Sequence, residues 1–138
     1  MTASYVSLLK GTTSPGLFSW RGDPDSDLIG RAEAAGWRAL ALDTTEVTSV
    51  AEFYDVVAAS WELPSWFGRN LDALFDVLGD LTTEPTILVW SGLRQLADVD
   101  PIGASAVLDV LRDAAGQARS FAVIVLDDLG VSEFDGLL

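Results

Sequence analysis

The chain of 138 residues contains no cysteine and no histidine. Without cysteine there are no disulfides, thiolate nucleophiles or cysteine-ligated zinc sites. Without histidine, Ser-His-Asp and Cys-His catalysis and histidine-metal centres are excluded, and carboxylates alone remain as general acids or bases. Paired carboxylates of the kind used in glycoside hydrolysis stay open, because the fold and not sequence spacing sets their separation. Basic residues are scarce as well, 8 Lys and Arg against 21 Asp and Glu, for a net charge of −13 and a pI near 4.1. A field of that sign repels nucleic acid and anionic membrane and attracts basic partners. No stretch approaches the roughly 18 apolar residues of a membrane span. The opening residues lack the basic region and apolar run of a secretory leader. The expectation is a soluble, cytoplasmic protein without a cofactor. The glycines form neither a dinucleotide fingerprint nor a phosphate loop. Asp23-Pro24-Asp25-Ser26-Asp27 begins like a calcium loop, but Leu28 stands where that loop needs glycine and Ala34 where it needs glutamate.

What is present is a foldable core. Hydrophobic residues make up 49% of the chain, and a chain this long buries about two thirds of its unfolded surface in a single domain. Tyr5 to Leu9 and Leu17 to Trp20 flank the turn-rich segment Gly11 to Gly16, which predicts a hairpin. Asp23 as cap, Pro24 at the first helical position and Gly36 as stop predict a helix between them. Trp37 to Leu42 reads as a strand. Ser49 and Glu52 have capping-box spacing ahead of a helix ending near Trp61. Thr86 to Trp90 and Phe121 to Leu126 are continuously apolar strands, and Asp100-Pro101 opens a helix through Gln117. Strands without polar alternation, separated by helices, define an α/β fold with a mainly parallel sheet covered on both faces. The division is 1–36 as an N-terminal β/α extension, 37–126 as the main unit and 127–138 as a loose acidic tail.

Between Leu63 and Leu81 lies the most informative stretch. Leu71, Leu74, Phe75 and Leu78 fall at helical spacing on one face, while Asp72, Asp76 and Asp80 fall four apart on another. Like charges at that spacing repel by about 0.2–0.5 kcal/mol per pair. The positive helix N-terminus favours Asp72, whereas Asp80 sits at the unfavourable end. Two readings follow: a solvated acidic face, or a docking face for a cation-rich partner.

Leu63-Pro64-Ser65-Trp66-Phe67-Gly68-Arg69-Asn70-Leu71-Asp72-Ala73-Leu74-Phe75-Asp76 resembles the signature of the barstar family, intracellular inhibitors of a secreted bacterial ribonuclease. Its pattern is L-P-x-aromatic-aromatic-G-x-N-L-D-A-L-aromatic-D, and the resemblance runs from Trp37 to Leu126. It implies a small mainly parallel sheet flanked by helices, and a loop and acidic helix that plug the enzyme's active site in a 1:1 complex. On that resemblance Asp76 takes the place of the substrate phosphate, Asp72 is a second acidic contact, and Trp66 stacks on the partner. Phe75 replaces a tryptophan. Asp113 matches a glutamate, Gln117 replaces an acid, and Asp80-Leu81 stands where glycine-tryptophan is expected. The partner-binding set is therefore Trp66, Phe67, Gly68, Asn70, Leu71, Asp72, Phe75, Asp76, Asp80 and Asp113, with no catalytic residue and no metal.

Structural roles compete at several of these positions. Trp66 and Phe67 are also placed to cover the core beside Pro64, Gly68 to supply a positive φ or a close approach, and Asn70 to cap the helix. Leu71, Leu74 and Leu78 suit the core. Alternatives to a guanyl-specific ribonuclease as partner are a different basic toxin met by the same fold, a carboxylate-only hydrolase, or an acidic scaffold. The sequence does not set the oligomeric state.

Overall fold

The computed structural model describes residues 3–118, 120–126 and 134–138. In chain order they form α1 (Tyr5–Leu9), β1 (Leu17–Trp20), α2 (Leu28–Ala34), β2 (Arg38–Asp43), α3 (Val50–Ser60), α4 (Leu71–Leu81), β3 (Thr86–Ser91), α5 (Leu93–Val99), α6 (Pro101–Gln117), β4 (Phe121–Val125) and β5 (Asp135–Leu137). The described strands make one sheet in the order β2-β3-β4-β1-β5, with every pair parallel. This is the α/β class expected from the unalternating strands.

Both faces of β3 and β4 are buried, which is why those strands are apolar at every central position. Leu88, Trp90, Phe121, Val123 and Val125 face a first core that also contains Phe53 and Val57 of α3, Leu74 and Leu78 of α4, and Val107 and Leu111 of α6. Ile87, Val89, Ala122 and Ile124 face a second core closed by Tyr5 and Leu8 of α1 and Leu28 and Ala32 of α2. The helix starts follow their caps. Ser49 accepts from the Glu52 N–H at 3.1 Å, and Asp100 accepts from the Gly103 N–H at 2.8 Å with Pro101 in the first turn. The Glu52 carboxylate reaches the Thr48 backbone N–H at 2.9 Å and the Thr48 hydroxyl at 2.8 Å, one residue earlier than a reciprocal box requires.

Three expectations are corrected. Tyr5–Leu9 is a helix and not one arm of a hairpin: Ser4 caps it by accepting from the Ser7 N–H at 3.0 Å, and Tyr5 and Leu8, three apart, share its buried face. β1 instead runs parallel between β4 and β5. The second helix starts at Leu28 under an Asp27 cap, while Asp23 makes a local turn by accepting from the Asp25 N–H at 2.9 Å. The chain end is not loose where it is described, because Asp135–Leu137 pairs with β1; residues 127–133 lie outside the described residues. Gly36, with φ +87, stops α2 as expected.

Other parts of the chain bond to both edges of the sheet. Arg38 N–H donates to Pro85 and Thr44 N–H to Ser91, so the odd-numbered groups of β2 point outward. The Trp61 indole donates to the outward carbonyl of Ala41 at 3.1 Å. At the far edge Leu138 N–H donates to Ala3 at 2.9 Å and Tyr5 N–H to Leu138 at 2.6 Å. Edge groups bonded in this way are not available for pairing with another chain. No described helix is long and apolar enough to cross a membrane.

Candidate partner-binding site

Helix α4 is fixed from its inner side. Leu74 and Leu78 are fully buried, Leu71 and Phe75 are half-buried, and Asp72, Asp76 and Asp80 are exposed. Asn70 sets the start by accepting from the Ala73 N–H at 2.8 Å, while its amide donates to Gly68 O at 2.9 Å. The three aspartates, four apart on a helix rising 1.5 Å per residue, repeat about every 6 Å along the axis. Among the described residues no side chain bonds or pairs with any of their three carboxylates; the Thr83 hydroxyl donates only to the backbone carbonyl of Asp80, at 3.2 Å. Their charge is held outward by a helix that cannot turn away without opening the core.

The preceding loop divides its two aromatics between inside and outside. Trp66 is 81% exposed, whereas Phe67 is 6% exposed and lies 6.3 Å from Tyr54 ring to ring. Phe67, expected at the partner face, therefore anchors the loop from within and leaves Trp66 free to make contact. Gly68 does not supply the positive φ; Arg69 does, with φ 47. The glycine meets a close approach instead, since a Cβ there stands 3.1 Å from the Asn70 amide nitrogen and 3.2 Å from the Ala73 Cβ. The Arg69 guanidinium pairs with Asp55 of α3 at 3.0 Å, which ties down the loop and engages its cation.

Helix α6 lies along the flank of α4. Near the C-terminal ends of both helices Phe75, Gly79 and Thr82 face Ala114, Gln117 and Ala118 across a groove of about 330 Å³. Near their N-terminal ends Asn70, Leu71 and Asp72 face Gly103, Ala106 and Val107 across another of about 510 Å³. The two helices thus run side by side in the same direction. Asp113 and Gln117 are exposed on α6, and Asp109 pairs with Arg112 at 3.1 Å.

Two carboxyls outside α4 and its loop are held below their usual range. Hydrogen bonds from the Thr45 hydroxyl and N–H hold the Asp43 carboxyl below its usual range, and those from Thr48 do the same for Glu52. Burial pushes the Tyr54 phenol up. Among the described residues no group of three or more acidic side chains is arranged to hold a metal ion. In this arrangement no hydroxyl is hydrogen-bonded to the carboxylate of Asp72, Asp76 or Asp80 among the described residues. What it presents is fixed anionic side chains, an open indole and two shallow apolar grooves.

A family model described as Barstar (barnase inhibitor) matches residues 37–126. The chain belongs to the barstar family. Its members are inhibitors of barnase-type ribonucleases or related immunity proteins, and not enzymes. The match runs from the residue before β2 to the residue after β4, and so contains α3, α4, α5 and α6 together with the acidic helix face. Sequence reasoning did not single out Tyr54 or the Arg69–Asp55 pair. Tyr54 carried a usable signal in its position one residue after Phe53 on a capped amphipathic helix; the ion pair, fourteen residues apart, carried none.

Proposed function

We propose that this protein inhibits a basic bacterial ribonuclease, guanyl-specific in its cleavage, by seating α4 and the loop before it in the enzyme's active site as a 1:1 cytoplasmic complex. Asp76 enters where the substrate phosphate would lie and accepts paired hydrogen bonds from an arginine there. Asp72 and Asp80 extend the anionic contact along the helix, Asp113 adds to it from α6, and Trp66 stacks on the enzyme surface. Phe75 supplies an apolar rim. Gly68, Asn70 and Leu71 set the geometry of the loop and helix start. Inhibition needs no chemistry and no cofactor, because occupying the site is sufficient.

The observation that carries this reading is the exposed column of unpaired aspartate carboxylates on a helix anchored by fully buried Leu74 and Leu78, in a chain of the barstar family. A second reading keeps the fold and the plug but changes the target to another basic toxin, making this an immunity protein. It is favoured by Phe75, Gln117 and Asp80-Leu81, which alter one edge of the face relative to the family pattern. Association kinetics test both. Steering by a field of this sign is screened beyond about 8–10 Å at physiological ionic strength. The association rate with the ribonuclease should therefore fall at least tenfold between low salt and about 0.5 M. A rate that ignores salt contradicts the electrostatic plug, and salt-dependent binding to a different toxin alone selects the second reading.

A further inference from the structure

The groove between the N-terminal ends of α3, α4 and α6 shares Asn70, Leu71 and Asp72 with the plug, but its α3 and α6 walls have no part in it so far. Its walls are apolar: Val50 and Tyr54 from α3, Leu71 from α4, and Ala106 and Val107 from α6. Gly103 lets the helices meet there, because a Cβ at that position stands 2.6 Å from Val50 Cγ2 and 2.7 Å from the Asp100 carboxylate. Ile102 precedes Gly103 and lies one helical turn before Ala106. It is 83% exposed.

A lone exposed isoleucine is ordinary. This one lies outside the lining but beside Gly103 and one turn from Ala106, two residues of an apolar groove whose opposite rim, Asn70, Leu71 and Asp72, is the start of the acidic helix. The groove therefore continues the face carrying the aspartate column. Charge selects the occupant. Arg69, the cation in the lining, is engaged by Asp55 at 3.0 Å, which leaves Asp72 as the unpaired charge on the rim. A second copy of a chain with net charge −13 is repelled at this acidic face; a basic protein is drawn to it.

We infer that this groove, with Ile102 at its lip, is the apolar half of the docking face, filled by an apolar side chain from a surface loop of the basic enzyme, next to a lysine or arginine that meets Asp72. The inference rests on the inhibitor reading above. It divides the labour between two regions of one interface. The aspartate column draws the partner in and sets the association rate, and the groove excludes water and sets the lifetime of the complex.

The test is Ile102→Asp, compared with wild type and Asp76→Ala for binding and inhibition of a guanyl-specific bacterial ribonuclease. Because the added charge has the sign that favours encounter, steering alone leaves association equal or faster and dissociation unchanged. Burial of Ile102 at the interface instead raises the dissociation rate about tenfold or more, with association altered less than about twofold. Ile102→Ala should fall between. An unchanged urea midpoint for both variants shows that the fold is intact. Unchanged dissociation of Ile102→Asp, with tight wild-type inhibition lost in Asp76→Ala, overturns the groove and leaves the plug standing. No binding by the wild type overturns both.

Discussion

The two faces of the sheet are built by different parts of the chain. The first is covered by α3, α4, α5 and α6, all within the family match at 37–126, and it carries the acidic helix. The second is covered by α1 and α2 from before that match, while β1 and β5 extend the sheet beyond β4. The difference shows what the flanking segments do. Ile87, Val89, Ala122 and Ile124 leave the far side of β3 and β4 apolar, and an apolar sheet face needs a cover. The N-terminal segment extends the sheet and provides that cover through α1 and α2, while Leu17 of β1 also packs against the first core.

The comparison breaks most visibly at the chain end. Phe134 is 8% exposed and belongs to the first core, whereas Leu137 is fully buried in the second. Removing residues 134–138 strips a buried side chain from each and should cost roughly 3–6 kcal/mol, at about 1.5–3 kcal/mol per side chain. Urea unfolding should show one cooperative transition at a lower midpoint. A loss under about 1 kcal/mol, or a separate early transition, means that the flanks are an independent layer.

Smaller changes sharpen the contrast. Asn70→Ala removes the α4 cap on the first face and should cost about 1 kcal/mol by the same measurement. On the second face Tyr5→Phe removes the hydroxyl that donates to Leu28 O at 2.7 Å, again about 1 kcal/mol. The two differ in pH dependence. Burial pushes the Tyr5 phenol up to about 12 from an unfolded value of 10.0. Above pH 10 the unfolded chain releases a proton that the folded one keeps, so this contribution is complete below pH 10 and is lost as pH rises towards 12. Tyr5→Phe should flatten the stability profile in that window, and Asn70→Ala should leave its shape unchanged. The smallest expected effect has the opposite sign. Asp80→Asn relieves one like-charge pair and removes a negative charge from the C-terminal end of α4, and should stabilise the fold by about 0.2–0.5 kcal/mol while weakening association. A loss of stability would mean that the column has structural partners.

Local signals made the first face legible. The Asn70 cap, the Leu71-Leu74-Phe75-Leu78 stripe, Asp100-Pro101 and the two apolar strands each rest on residues within a turn or two of one another. The second face was less legible because its determinants are distant in sequence. Tyr-Val-Ser-Leu-Leu is too short for periodicity to separate helix from strand, and the deciding groups are the Ser4 cap and packing against Leu28 and Leu137. The insertion of β1 between β4 and β5 depends on a register spanning more than a hundred residues. α5 was also unread: it starts at Gly92, whose φ of +80 and approach to the Thr45 backbone require glycine, and that approach exists only once β2 and β3 pair. At the site, residue types identified the acidic column, but burial sorted Trp66 from Phe67 and moved the left-handed residue from Gly68 to Arg69.

The central claim is an active-site plug carried by α4. Its most direct test is a titration of the intact chain into a fixed amount of a guanyl-specific bacterial ribonuclease, with residual RNA cleavage as readout and Asp76→Ala in parallel. The account predicts that cleavage stops at one equivalent of the wild type and that the variant needs a large excess, with an effect of at least about 2 kcal/mol on binding. Equal inhibition by both proteins, or none by the wild type against this enzyme and other basic nucleases, would contradict it.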